Sequence, residues 1–474
     1  MAGSRTNSGP ATDLLVELQR DAQAPLHGQL ATAIREGIRS GRLRPGNSLP
    51  PSRTLAAGLG VSRGVVVEAY QQLTAEGYLA ARPGGYTRIA PGLRAVPPSA
   101  PPAAGPDVRI DFSPCRADVS QFPRGAWLRS VRRILHEAPH ERLGYLGGHG
   151  APELRQALAD YLNRARGTVA EPDRVVVCSG FSQGLALVSR VLADAGVRRV
   201  AVEDPSDPDL RRVPAAAGLE VVGIPVGPDG IAVDALVRSD ADAVVLTAAH
   251  QCPTGAVLSA EARTAVVDWA TQWGAWIVED DYDAEYRYDR APIGALHGLA
   301  PDHVVYAGSA SKTLAPGLRL GWLVAPARLV DGLVAAKQAA DRGSPVLDQL
   351  AFADFLSRGE LDRHLRRMRP IYRRRRNTLL DALRTRLPEL RPTGVSAGLY
   401  LTAWLPPDLD EAELIAAAGR RGVRLYGVGP YRVDPGDPGD QGEPGLIFGY
   451  GDLGERAITE GIATLADVIA EGRG

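Results

Sequence analysis

Lys312 lies in the stretch Val304 to Trp322, V-V-Y-A-G-S-A-S-K-T-L-A-P-G-L-R-L-G-W, with Ser309 three residues before it and Arg319 seven after. The chain carries 54 Lys plus Arg, but only Lys312 and Lys337 are lysine, so almost every generic surface cation is arginine. Arginine stays protonated at any physiological pH, whereas a lysine amine in a desolvated site can lose its proton and condense with an aldehyde. A lysine kept in such a composition therefore points to amine chemistry. The Ser309 hydroxyl and the forked Arg319 guanidinium are suited to a phosphate near that aldehyde. S-x-x-K also occurs in some serine hydrolases, and a solvated lysine in a strand-to-loop segment has the same spacing, so both readings stay open on this stretch alone.

Three further stretches add what a phosphate-bearing aldehyde needs. C-S-G-F-S-Q-G-L, Cys178 to Leu185, places small residues after a strand and at the opening of a helix, where free N–H groups and the helix dipole hold a phosphate. I-V-E-D-D-Y-D-A-E-Y-R-Y, Ile277 to Tyr288, ends a buried strand in carboxylates. There Asp280 can pair with a protonated pyridine nitrogen while Tyr282 bonds a phenolic oxygen. A-A-H-Q-C-P-T-G, Ala248 to Gly255, is a loop after another strand.

The elements that must position these groups follow from length and patterning. At 474 residues the chain can bury more than one core. A formal net charge of -1 demands neither a polyanion nor a membrane surface, so charge is read locally. Cys115, Cys178 and Cys252 are too far apart for paired zinc ligands or a disulfide framework, so no metal is expected and a reducing cytoplasm fits. No apolar run reaches about 18 residues, and the start lacks the apolar core of a signal peptide. A soluble cytoplasmic chain is expected.

Residues 1–90 hold 10 Arg against 6 Asp plus Glu, a local basic excess of 4. Leu30, Ile34 and Ile38 at helical spacing predict a helix from Leu26 to Ser40, stopped by Gly41. Ser52 is placed to cap a second helix, Arg53 to Leu59, and G-L-G-V-S-R turns into a third, Ser62 to Glu76, which is helix-turn-helix spacing. G-Y-L-A-A-R-P-G-G-Y-T-R-I closes the unit as two short strands about a Pro-Gly-Gly turn, a wing. The run L-P-P-S-R-T-L-A-A-G-L-G-V-S-R-G-V-V-V-E-A-Y-Q-Q-L-T-A-E-G-Y-L closely resembles the winged helix-turn-helix domain of the GntR family. The resemblance implies that Arg53, Ser62, Arg63 and Gly64 meet double-stranded DNA, where guanidinium pairs with guanine edges or phosphate. Gly64 departs from the polar residue often found there.

A Pro/Ala-rich linker, 91–108, separates this unit from residues 109–474. Beyond it, apolar strands near Arg174–Cys178, Val200–Val202, Ala243–Thr247, Trp276–Val278 and Val304–Ala307 alternate with helical stretches. That pattern predicts an α/β domain with a mostly parallel sheet. The Arg-dense run 366–376 reads as the solvated face of a long helix.

In this order the chemical stretches resemble the fold-type I aminotransferase domain, a sheet with helices on both faces and a smaller C-terminal α+β subdomain. That resemblance implies pyridoxal 5'-phosphate as cofactor. It gives Lys312 the internal aldimine, Asp280 the pyridine nitrogen, Tyr282 the phenolic oxygen, and Ser182, Gln183, Ser309 and Arg319 the phosphate. Tyr145, in L-G-Y-L-G-G-H-G, would reach the phosphate of the neighbouring subunit in a head-to-tail homodimer. A GntR-type winged helix joined to this domain is the arrangement of MocR-type regulators, which the chain resembles over nearly all its length, the subgroup controlling vitamin B6 synthesis included.

The departures concern the substrate side. Asp207 stands where such domains place a ring-stacking aromatic, Cys252 where Asn precedes P-T-G, and Ile447 where an Arg takes the substrate carboxylate. A kept cofactor lysine beside an eroded substrate site implies a regulator sensing pyridoxal phosphate rather than an enzyme. The other readings are a working aminotransferase, a regulator answering an amino acid or amine, with Arg424 or Arg432 substituting for the missing Arg, and a scaffold binding neither cofactor nor DNA.

Overall fold

A computed structural model describes residues 18–80, 87–91, 108–288, 293–394, 396–433 and 442–473. The chain divides into two compact units, Met1–Gly105 and Pro106–Gly474. The Pro-Gly-Gly turn expected at 83–85 and most of the Pro/Ala-rich linker lie outside the described residues.

In the first unit three helices, Leu26–Arg39, Ser52–Leu59 and Arg63–Ala75, close around one core. Leu30, Ile34 and Ile38 recur on one face of the first helix and are buried against Leu55, Val66 and Leu73. Gly60 ends the second helix at φ 63, a left-handed turn that glycine takes at little cost. The Tyr70 hydroxyl donates to the Pro50 carbonyl at 2.9 Å and fixes the third helix to the turn before the second. Strands Leu79–Ala80 and Arg88–Ile89 pair antiparallel as the base of the expected wing. Ser52 does not cap: Pro51 is extended (φ -54, ψ 142) and delivers Ser52 into the first helical turn, where its side chain makes no capping bond. The third helix likewise starts after Ser62 without a side-chain cap.

The second unit is built on an eight-stranded sheet. In spatial order its strands are Val175–Cys178, Gly321–Val324, Val304–Ser309, Trp276–Asp281, Ala243–Leu246, Arg199–Asp204, Glu220–Gly227 and Gly230–Ile231. The four central pairings are parallel; Gly321–Val324 runs antiparallel to both neighbours, and the last hairpin is antiparallel. The sheet is therefore mixed, because the chain returns from Lys312 through a tight turn rather than a crossover helix.

Helices cover both faces. Along Trp276–Asp281, Trp276 and Val278 pack into the layer of helices Phe181–Asp194 and Ala327–Asp341, while Ile277 packs into the layer of helix Ala260–Trp273. This alternation sends Asp280 to the first face and Asp281 to the second. A smaller α+β subdomain follows: an antiparallel sheet of Arg391–Thr393, Tyr400–Trp404, Gly445–Gly449 and Tyr426–Gly427, with helices Glu411–Arg420 and Glu455–Gly472. The Arg-dense run lies in helix Glu360–Arg386 and is only half solvated. Arg366, Arg367, Arg373 and Arg374 are exposed, while Arg375 turns inward to pair with Asp118 at 2.7 Å.

Candidate cofactor cavity and DNA-facing residues

Strand Val304–Ser309 runs into a single helical turn, Ala310–Thr313, that carries Lys312. Ser309 caps that turn, its Oγ accepting from the Ser311 N–H at 3.1 Å. In register, Ala307 lies opposite Asp280 on the neighbouring parallel strand. Lys312 and Asp280 thus reach one cavity of about 290 Å³ from adjacent strand ends, together with Ser182, Tyr282, Ser309 and Arg319.

The lining around Arg319 and Ser182 is shaped by backbone. Helix Phe181–Asp194 begins after Gly180, which sits at φ 100. A Cβ there would lie 3.0 Å from the Arg319 guanidinium, and a Cβ at Gly321 would lie 2.6 Å from the Gly180 Cα, so close approach as well as φ requires glycine. Arg319, itself left-handed at φ 50, donates to the Ser179 carbonyl and is held over the helix N-terminus. Free N–H groups, the Ser182 and Ser309 hydroxyls and a guanidinium then converge, as a phosphate requires.

The lining also carries carboxylates, Asp207, Asp209 and Asp280. Burial, and then the nearby Asp281 and Asp207 carboxylates, push the Asp280 carboxyl well above its ordinary range, while the Lys312 charge pulls it back. Among the described residues no hydrogen-bond donor reaches Asp280. A protonated pyridine nitrogen would supply the missing counter-charge, so the residues present fit pyridoxal phosphate. Beneath, Glu203 is raised to about 7, by burial against the hydrogen bonds it accepts from the Thr247 N–H and hydroxyl at 2.9 and 2.6 Å.

Two expected phosphate contacts stand apart. The Gln183 side chain accepts from the Ser179 N–H at 2.7 Å and donates to Asp341 at 2.8 Å, so it braces the loop instead of facing the cavity. Tyr145 is 87 % exposed and does not line the cavity of its own chain. Tyr282 does line it, with its hydroxyl donating to the His250 carbonyl at 2.8 Å and lying 3.1 Å from the Tyr400 hydroxyl. Residues the sequence reading missed as site residues include Cys115, Phe181, Thr247 and Ser311. Ser311 was detectable as the second serine of S-A-S-K, whereas Cys115 comes from a distant segment that carries no local signal.

On the substrate side, Ile447 is fully buried in one cluster with Cys252, Tyr282, Tyr400 and Val428. Asp207 lines the cavity and spends one oxygen on the Asp209 N–H at 2.9 Å, capping helix Pro208–Ala216. Arg432 donates to the Glu443 carbonyl at 2.9 Å, and Arg424 lies 3.6 Å from Asp111; neither lines the cavity.

In the first unit Arg53, Ser62, Arg63 and Gly64 are all exposed at the starts of the second and third helices. Among the described residues no side chain caps either N-terminus, leaving N–H groups and both guanidiniums available to an anionic partner. Among the described residues no helix is long and apolar enough to cross a membrane, and none groups metal-ligating side chains.

A winged helix-turn-helix joined to a lysine-bearing aminotransferase-like unit defines a DNA-binding regulator built on an enzyme scaffold. Residues 26–89 match the model of bacterial regulatory proteins of the gntR family, and residues 115–435 that of class I and II aminotransferases. The chain is 32% identical over 470 residues to the HTH-type pyridoxine biosynthesis transcriptional regulator PdxR of Corynebacterium glutamicum, covering 97% of this chain and 99% of the relative. It is 33% identical over 479 residues to the probable rhizopine catabolism regulatory protein MocR of Rhizobium meliloti, covering 95% of each. The chain belongs to this family of MocR/PdxR-type helix-turn-helix transcriptional regulators. Among solved structures it is similar to α-aminoadipate aminotransferase LysN of Thermus thermophilus, complexed with N-(5'-phosphopyridoxyl)-L-leucine, at TM-score 0.68 and 28% identity, over 76% of this chain and 92% of the other. The fold implies a pyridoxal-phosphate site.

Proposed function

We propose that this regulator binds operator DNA through Arg53, Ser62, Arg63 and Gly64 and takes pyridoxal phosphate itself as its signal, in control of vitamin B6 synthesis. The observation that carries the reading is Ile447, sealed in an apolar cluster where a substrate carboxylate would need a guanidinium. Losing a buried charge-assisted pair typically costs about 2–5 kcal/mol of affinity, and Arg424 and Arg432 are engaged elsewhere. The PdxR relative, a pyridoxine biosynthesis regulator, supports the same signal.

When bound, pyridoxal phosphate supplies an aldehyde and an electron-withdrawing ring. Lys312 offers the amine that fixes the aldehyde, and Asp280 holds the charge of the ring nitrogen. Tyr282 faces the phenolic oxygen. Ser182, Ser309, Arg319 and the N–H groups opening helix Phe181–Asp194, with Gln183 contributing main chain only, hold the phosphate. Tyr145 serves the partner's cavity in a head-to-tail homodimer, which presents two DNA-binding heads.

Asp207 and Asp209 at the cavity favour one second reading, a cationic amine without a carboxylate as effector. Loading the purified chain with pyridoxal phosphate and following its absorbance, with and without borohydride, tests the first step. A reducible band on Lys312 is expected, and no band would refute the cofactor.

A further inference from the structure

A second cavity of about 290 Å³, sharing no residue with the first, is lined by Arg164, Arg166, Glu285, Asp362, Arg366 and Arg369. Its guanidiniums are unequally committed. Arg164 pairs with Asp362 at 2.9 Å, and Arg369 gives its Nε to the Glu285 carbonyl at 2.7 Å. Arg166, 1 % exposed, gives Nε and Nη2 to Asp281 at 2.6 and 3.0 Å, and its buried Nη1 has no partner among the described residues. Arg366 is exposed and makes no hydrogen bond or ion pair among the described residues.

Buried guanidinium N–H groups are rarely left without an acceptor, because desolvating them unpaired costs free energy. Four guanidiniums against Asp281, Glu285 and Asp362 leave a formal excess of one positive charge. Burial raises the Glu285 carboxyl to about 7, which lessens the negative charge facing an incoming anion. Planar forks from helices Pro152–Arg166 and Glu360–Arg386 lining one cavity suit the paired oxygens of a carboxylate or phosphate. We propose that this cavity binds a small oxyanion, a carboxylate or phosphate ester, held by Arg166, Arg366 and Arg369. The site shares no residue with the cofactor cavity, and Arg166 is bound to Asp281, which faces away from that cavity.

The test is isothermal titration of the cofactor-loaded chain, its phosphate cup filled, with inorganic phosphate and separately with succinate at constant ionic strength. Saturable binding of at least one is expected, weakened about ten-fold by Arg366→Gln and further by Arg369→Gln. Arg366 is exposed, so its variant keeps the circular dichroism and cofactor spectrum of the parent. Preference for phosphate indicates a phosphate ester, and preference for succinate a carboxylate. Absence of saturable heat with both anions, or binding unchanged in Arg366→Gln, overturns the proposal. A chain that takes up no cofactor is titrated as Arg319→Gln instead, so failure of the cofactor reading does not decide this one.

Discussion

Asp280 and Asp281 are consecutive on one strand and serve opposite faces: Asp280 lines the cavity with Lys312, while Asp281 is locked by two hydrogen bonds to Arg166 under the sheet. The pair is 1% exposed on both sides, and the Tyr306 hydroxyl adds a third bond to Asp281 at 2.7 Å. Removing one member of such a pair strands a buried charge at a cost of about 3–5 kcal/mol. Arg166→Leu is therefore expected to lower the stability of the second unit by that amount in urea unfolding, while the conservative Arg166→Lys loses less. An unchanged midpoint in Arg166→Leu contradicts the assignment.

Glu203 gives a pH dependence. Its carboxyl is raised from 4.5 to about 7, so between those values the folded chain holds a proton that the unfolded chain releases. Its contribution to stability is full below about 4.5 and falls as pH rises to about 7. Glu203→Gln removes that titration, and its melting temperature is expected to fall less steeply from pH 5 to 7 than the parent's. Parallel profiles would show that Glu203 does not titrate there.

Lys312→Ala is expected to abolish the borohydride-stable adduct with pyridoxal phosphate while leaving the circular dichroism unchanged. Lys337, the other lysine, is fully buried and donates to both oxygens of Asp341 at 2.6 and 2.7 Å and to the Ser344 hydroxyl at 3.0 Å. It is structural. Peptide mapping of the adduct to Lys337 would reverse the two roles.

The division between what the chain spelled out and what it hid follows from locality. The helices around Gly60 and the strand ending at Cys178 depend on neighbours within a few residues, and their patterns are plain in the sequence, although the Ser52 cap and the end of the Trp276–Asp281 strand were not. Plain too is the clustering of Lys312, Ser309 and Arg319, which one strand and one turn carry. The antiparallel strand Gly321–Val324 was not legible, because a buried apolar strand reads alike in either direction. The engagement of the Gln183 side chain was hidden for another reason: its motif fixes the backbone, but its side chain donates to Asp341, 158 residues away. Ile447 was legible only as a departure, and its apolar cluster with Cys252 required the tertiary fold.

Arg53→Ala and Arg63→Ala are each expected to weaken operator binding by about 1–3 kcal/mol if the side chain reads a base, and to weaken all sequences alike if it holds a phosphate. Mobility shifts at fixed salt on one and two half-sites separate these outcomes. Equal affinity of the parent for operator and scrambled DNA excludes a sequence-specific regulator.

The central claim is that pyridoxal phosphate, and not an amino acid, is the signal. The most direct measurement compares operator affinity of the cofactor-free and loaded chains while the loaded form's absorbance is titrated with α-amino acids and γ-aminobutyrate. Loading is expected to change DNA affinity, and the cofactor band is expected to stay unmoved by sub-millimolar amines. A band that shifts with an amine, together with DNA affinity indifferent to loading, would contradict the account.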